Sequence, residues 1–227
     1  MDGKTKTLLW FATAALIAIV SLNCGPAAEN MSFREHIVPV DEISGLKMDG
    51  YFVWGGSAIK VDGIYHLFAS RWPAHTTFPA GYRTDSEIVR ATSETLTGPY
   101  TFREVVIGER DSTYWDSNMA HNPTIHKVAD TYVLYYIGSD FTSYQQDDPH
   151  LLRRVGYATA KSIDGPWHRS DHPVIDAESN NPSALFEDDG SVKLIFRDTE
   201  LNIFCATAPS FEGPYLSLIH ISGAHET

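Results

Sequence analysis

From about residue 50 onward the chain is written in short aliphatic and aromatic runs broken by turn signals. Three runs carry a hairpin pattern: SAIKVDGIYHLFAS (57–70), PTIHKVADTYVLYYIGS (123–139) and PSALFEDDGSVKLIF (182–196). Their flanks are rich in Val, Ile, Tyr and Phe, side chains that fill a pleated surface well. The pairs Asp62-Gly63 and Asp189-Gly190 predict tight two-residue turns, which need positive φ angles. Within TYVLYYIG both alternating faces are apolar, with Tyr132, Leu134 and Tyr136 on one and Val133, Tyr135 and Ile137 on the other. A strand apolar on both sides must be covered on both. No part of the globular region carries the period of a long amphipathic helix.

The runs belong to a repeat. Three segments share one ending: ATSETLTGPY (91–100), ATAKSIDGPW (158–167) and ATAPSFEGPY (206–215), each preceded by a short apolar stretch. Ile59, Ile125 and Leu185 hold matching places at a spacing of roughly sixty residues, which suits a small antiparallel sheet repeated as a propeller blade. The predicted fold is therefore all-β, a β-propeller, with blades 1 to 3 in residues 49–215.

Composition narrows the partners. A formal net charge of −12 opposes binding to phosphate backbones, so nucleic acid is not expected, while a carbohydrate substrate stays open. Two cysteines, Cys24 and Cys205, make no disulfide framework, and Cys205 reads as a small buried hydrophobe of a strand. No Cys/His spacing indicates zinc and no glycine-rich loop indicates a nucleotide, so no cofactor is expected; a structural calcium is left open. At the N-terminus, Lys4 and Lys6 precede an apolar run at 8–20 that is short for a membrane span and suits a signal-peptide core. Residues 1–23 read as that signal. Cys24 resembles the acylated cysteine of a bacterial lipoprotein, although Asn23 is unusual before it. The expectation is export, with membrane anchoring through lipidated Cys24 at the periplasmic or cell surface, or simple secretion. Residues 24–48 read as a tether.

The hairpins and their Ala-Thr…Gly-Pro-aromatic endings resemble the five-bladed propeller glycoside hydrolases, family 43 and its relatives in families 32, 62, 68, 117 and 130. The stretch YWDSNMAHNPTIHKVADTYVLYYIGS (114–139) carries the likeness most fully. The resemblance implies a funnel whose mouth is built from inner-strand starts, here VWGGS (53–57), MAHNP (119–123) and SNNPS (179–183), and from the loops after the second strands, beginning SRWPAH, GSDFTS and RDTEL.

Glycosidic cleavage usually needs a carboxylic acid and a second carboxylate, held about 6.5–9.5 Å apart in inverting enzymes. By the resemblance, a base Asp belongs at the start of the first inner strand, where this chain reads Trp54-Gly55-Gly56-Ser57, and another follows the proline of the second, where it reads Thr124. Asp116 and Asp49 are the candidate catalytic replacements, although each also suits a simple turn. Trp54, Arg71, Trp72, His121, Asn122, Asn181 and Arg197 are the candidate sugar-binding residues. Arg71-Trp72 could stack a ring and fork its hydroxyls or form a cation–π pair, and Arg197-Asp198 could be a local ion pair. Alternation predicts that one of His121 and Asn122 faces the funnel. His66 reads as a core histidine.

The resemblance implies a glycosidase that removes terminal or side-chain sugars with inversion. The alternatives are a non-catalytic carbohydrate-binding propeller at the cell surface and a phosphorylase like family 130, which would need basic residues such as Arg71 and Arg197 for phosphate. The family's acid Glu lies in a later blade, expected beyond residue 215. There the string LSLIHISGAHET (216–227) leaves the repeat and resembles a translated sequencing adaptor, so residues 216–227 are expected to be a non-native tail. About three blades of five would then be present, and an open propeller piece is expected to be marginally stable. Oligomeric state is not legible.

Overall fold

The computed structural model describes residues 41–140 and 151–221. They form three four-stranded antiparallel sheets, each a meander in chain order. The first contains β1 (Tyr51–Val61), β2 (Ile64–Pro73), β3 (Glu87–Ser93) and β4 (Thr101–Ile107), with a one-turn helix α1 (Tyr82–Asp85) between β2 and β3. The second contains β5 (Met119–Val128), β6 (Thr131–Ser139), β7 (Arg154–Ala160) and β8 (His168–Arg169). The third contains β9 (Asn180–Phe186), β10 (Val192–Arg197), β11 (Ile203–Ala208) and β12 (Leu216–Ile221). Consecutive sheets pack face to face, β5 against the first sheet and β9 against the second. That is the blade arrangement of a propeller.

The two-faced strand explains the stacking. Tyr132, Leu134 and Tyr136 of β6 join Phe68, Ile88 and Ile107 of the first sheet in one core. Val133, Tyr135 and Ile137 join Leu194, Phe196 and Ala206 of the third in another. Burying each such side chain contributes about 1.5–3 kcal/mol relative to leaving it in water.

The repeat is one structure drawn three times. In each blade the third strand runs into a turn closed by Gly98 N–H to Thr95 O, Gly165 N–H to Ser162 O or Gly213 N–H to Ser210 O, at 3.2, 2.9 and 3.1 Å. The three glycines share φ of +91°, +87° and +93°, a conformation that costs other residues strain. The Gly-Pro-aromatic ending is therefore a turn inside the blade, and a fourth strand follows it. Leu216–Ile221, within the stretch expected to be a non-native tail, takes that place in the third sheet, pairing Ile203 with Ile221 and Thr207 with Leu216.

Two local expectations are corrected. Asp62-Gly63 forms the tight turn, with φ of +49° and +88° between paired Val61 and Ile64. Asp189-Gly190 does not: only Gly190 turns left-handed, in a longer loop between paired Phe186 and Val192. There Glu187 N–H donates to Ser191 O, and the Asp189 carboxylate accepts from Ser191 N–H. Cys205 is half-buried rather than buried, because it shares with exposed Ile203 the sheet face opposite buried Ala206. His66 is in the core as expected, its Nδ1 2.9 Å from Arg90 Nη1, and burial with that guanidinium lowers its pKa.

Candidate functional site

The inner strands all begin with the same irregularity. The β1–β2 register slips between Trp54 and Gly56, the β5–β6 register between His121 and Thr124, and the β9–β10 register between Ile195 and Arg197. At each slip one residue is left-handed: Gly55 at φ +43°, Asn122 at +50° and Asn181 at +52°. Gly has no Cβ to clash there, and Asn tolerates the conformation better than most residues. A bulge lets adjacent side chains turn to the same side. This corrects the expectation from alternation, since both His121 and Asn122 line the funnel.

The bulges surround a cavity of about 220 Å³, lined by Trp54, Trp72, Phe78, Pro79, Tyr82, His121, Asn122, Ile137, Arg153, Asn180, Asn181 and Arg197. The three left-handed residues touch. Asn122 Nδ2 donates to Asn181 Oδ1 at 2.5 Å, and a Cβ on Gly55 would lie 2.6 Å from Asn122 Oδ1. The Asn122 backbone N–H donates to Ser70 Oγ at 2.8 Å, tying the second blade to the first.

His121 is held from three sides. Its ring stacks on Tyr82 with centroids 4.7 Å apart and meets the edge of Trp72 at 5.7 Å. Ser86 Oγ donates to Ala120 O at 2.9 Å and lies 2.8 Å from His121 Nδ1. With the hydroxyl proton on the carbonyl, Nδ1 is the donor and Nε2 is left as an acceptor. Burial first, and the Arg153 charge second, lower the His121 pKa to about 3. A neutral imidazole of that kind accepts a hydroxyl hydrogen bond and is a poor proton carrier near neutral pH.

Arg153 sits just before β7. Its Nε and Nη2 face Glu178 Oε1 at 3.1 and 3.0 Å, and its Nη1 donates to Tyr82 Oη at 3.0 Å. Asn180 Nδ2 donates to the same Glu178 oxygen at 3.1 Å, so one carboxylate behind the wall orients two lining residues. Arg197 ends β10. Its guanidinium donates to the Asp198 carbonyl oxygen at 3.0 Å, so the expected local ion pair is a backbone contact instead.

Six of the seven candidate binding residues thus meet in one place: Trp54, Trp72, His121, Asn122, Asn181 and Arg197. Arg71 does not. It alternates to the other face of β2 from Trp72, pairs with Glu87 at 2.7 Å and lies over the rings of Tyr51 and Phe102. The expected Arg71-Trp72 sugar clamp is ruled out by strand geometry. Trp72 itself is fully buried against Phe78, their planes 13° apart, and its indole N–H has no acceptor among the described residues.

Neither candidate carboxylate lines the cavity. Asp116 has a side-chain exposure of 0% and pairs with Arg110 at 2.9 Å and Arg169 at 3.7 Å. It also accepts a 2.6 Å hydrogen bond from Tyr136 Oη, and burial with that charge raises the phenol pKa. Asp116 is a structural ion-pair centre among loop 108–118 and strands β6 and β8. Asp49 is exposed in a turn closed by Tyr51 N–H to Met48 O, where its partner Gly50 is left-handed. Among the described residues the cavity lining holds no Asp or Glu. No group of three His, Cys, Asp or Glu side chains among them is placed to hold a metal ion. Cys24 lies outside the described residues.

Sequence reasoning missed Phe78, Tyr82, Arg153 and Asn180. A signal existed for each. Phe78 and Tyr82 lie in the connection after a second strand, Arg153 precedes a third strand, which antiparallel pairing starts at the same end of the blade, and Asn180 begins β9 beside Asn181.

No family model matches the sequence and no curated relative does. Solved structures do match. A family 117 glycoside hydrolase produced by the marine bacterium Zobellia galactanivorans superposes with a TM-score of 0.60 at 20% identity, covering 73% of this chain and 55% of that one. A family 43 β-xylosidase/α-arabinofuranosidase from a compost microbial metagenome, solved with xylotriose, gives 0.56 at 16% identity, covering 77% and 60%. A β-1,2-mannobiose phosphorylase from Listeria innocua gives 0.57 at 13% identity, covering 82% and 62%. The chain has the propeller fold that these carbohydrate-active enzymes share, and it spans little more than half the length of the first of them.

Proposed function

We propose that this chain supplies the sugar-binding funnel of an exported propeller glycoside hydrolase, which removes terminal or side-chain sugars from a polysaccharide or oligosaccharide with inversion. The observation that carries the proposal is the meeting of aromatic rings and asparagine amides in one cavity at the bulged starts of three inner strands. Trp54 and Phe78, 53% and 51% exposed, offer ring faces to the C–H face of a pyranose or furanose. The amides of Asn122, Asn180 and Asn181 and the acceptor of His121 match hydroxyls, which both donate and accept. Activity of the whole protein rests on fold analogy, which by itself does not fix a reaction. In this reading the inverting carboxylates are residues other than Asp49 and Asp116. A signal through residue 23 and acylation at Cys24 would set the site at a periplasmic or outer cell surface, with secretion as the alternative.

The test is sugar release from a panel of aryl-glycosides and plant and algal polysaccharides by the full gene product. Release with inverted anomeric configuration supports the proposal; binding without release sinks the hydrolase and leaves the second reading. That reading, a non-catalytic carbohydrate-binding propeller, is favoured by the lack of Asp and Glu among the described lining residues. The two lining guanidiniums favour a phosphorylase as a third, which would form a sugar phosphate only when inorganic phosphate is added.

A further inference from the structure

The charge of the cavity runs against the charge of the chain. The protein carries a formal −12, yet the described lining of the funnel holds Arg153 and Arg197 and no carboxylate. The two arginines differ. Arg153 is neutralised by Glu178 and braced by Tyr82. Arg197 is half-buried, and among the described residues its one hydrogen bond goes to a backbone carbonyl and no carboxylate lies within ion-pair reach of it. Elsewhere the buried arginines are matched: Arg71 with Glu87, Arg90 with Glu104 and Asp164, Arg110 with Asp116. A partly desolvated guanidinium left with a carbonyl still has several N–H donors in a planar fork, the geometry that takes a carboxylate or sulfate through two parallel hydrogen bonds. Arg197 pairs in register with Asn180, so its end of β10 faces the amides assigned above to sugar hydroxyls.

We propose that the saccharide bound in this funnel is acidic, carrying a carboxylate or sulfate ester that Arg197 holds while Trp54 and the asparagines hold the ring. The inference rests on the reading of the cavity as a sugar site. It adds a charge class to it and singles out Arg197 as the specificity-determining residue.

The experiment is calorimetric titration of the full chain with an oligogalacturonate, a sulfated galactan oligosaccharide, neutral galactan and xylan oligosaccharides of equal length, and inorganic phosphate alone. Acidic oligosaccharides are expected to bind more tightly than neutral ones, with an advantage that shrinks as salt rises. Arg197→Gln is expected to weaken acidic binding by about tenfold to a hundredfold, as for a lost charged hydrogen bond, and to weaken neutral binding far less. Arg197→Lys, which keeps the charge without the fork, should fall between. Equal affinity for neutral and acidic sugars, with no effect of either substitution, overturns the charge assignment and leaves the sugar site standing. Binding of none of the oligosaccharides removes the sugar site and this inference together. Saturation by phosphate that depends on Arg197, without preference among sugars, overturns it in favour of an inorganic anion. If Arg197→Gln does not fold, the salt titration of the unaltered chain still tests the charge class, and Arg197→Lys tests the residue.

Discussion

Two arginine-bearing regions of this protein behave as opposites in the fold. Around Asp116, between the first and second blades, Arg110 and Arg169 converge on a carboxylate with no solvent exposure, and Tyr136 donates to it as well. Around the funnel mouth, Arg153 and Arg197 line a cavity whose described walls hold no carboxylate. In the first region two guanidiniums share one buried anion, and the contacts tie loop 108–118 to the second blade. In the second, one guanidinium meets only a carbonyl among the described residues. A buried charge that finds its opposite among its neighbours is structural, and one that does not is free to meet a ligand. That contrast, rather than residue type, separates the candidates chosen from sequence.

The largest effect should come from the matched region. Asp116→Asn leaves two buried guanidiniums without their anion, and chemical denaturation is expected to show a loss of about 3–5 kcal/mol. Saccharide affinity, measured where both proteins are folded, should not change; a variant as stable as the parent would break the comparison. Next in size is the acid response of His121. Its folded pKa of about 3 lies below the ordinary 6.5, so between those values the unfolded chain binds the extra proton. Stability is then full above about pH 6.5 and falls as pH drops toward 3. His121→Asn should flatten that part of the stability–pH curve relative to the parent. An unchanged slope would show that the ring is not held neutral.

A smaller effect belongs to the open wall. Trp54→Ala removes a half-exposed ring, and saccharide binding should weaken by about 0.5–1.5 kcal/mol while the melting transition barely moves. The smallest belongs to the surface pair of Lys161 and Asp130, both exposed although only 2.9 Å apart. Lys161→Ala should change neither stability nor binding measurably, because solvent and salt screen such pairs.

Much of this was legible in the chain. The apolar double face of 132–137 demanded a cover on both sides, and the two cores supply it. The three Gly-Pro-aromatic endings announced a repeat, and the matching turns at Gly98, Gly165 and Gly213 are that repeat. The gathering of the inner-strand starts was legible as well, since Trp54, His121, Asn122 and Asn181 stand there and line one cavity. Its carboxylates were not. Asp116 beside two aromatics read as a site residue because nothing local in the sequence shows that Arg110 and Arg169 close on it from elsewhere.

The sequence by itself determined what repeats and what is buried. Period-two alternation, turn residues and a twofold apolar strand act over a few residues, and no distant contact is needed to express them. The tertiary structure alone decided which polar residues share a space. Bulges at Gly55, Asn122 and Asn181 turned His121 and Asn122 to the same cavity, while strict alternation took Arg71 away from Trp72. Pairing with Arg110 of its own loop and Arg169 of β8 closed Asp116 off, while no described carboxylate reached Arg197. Those outcomes depend on electrostatics and packing between segments far apart in the chain, which is why folding had to settle them.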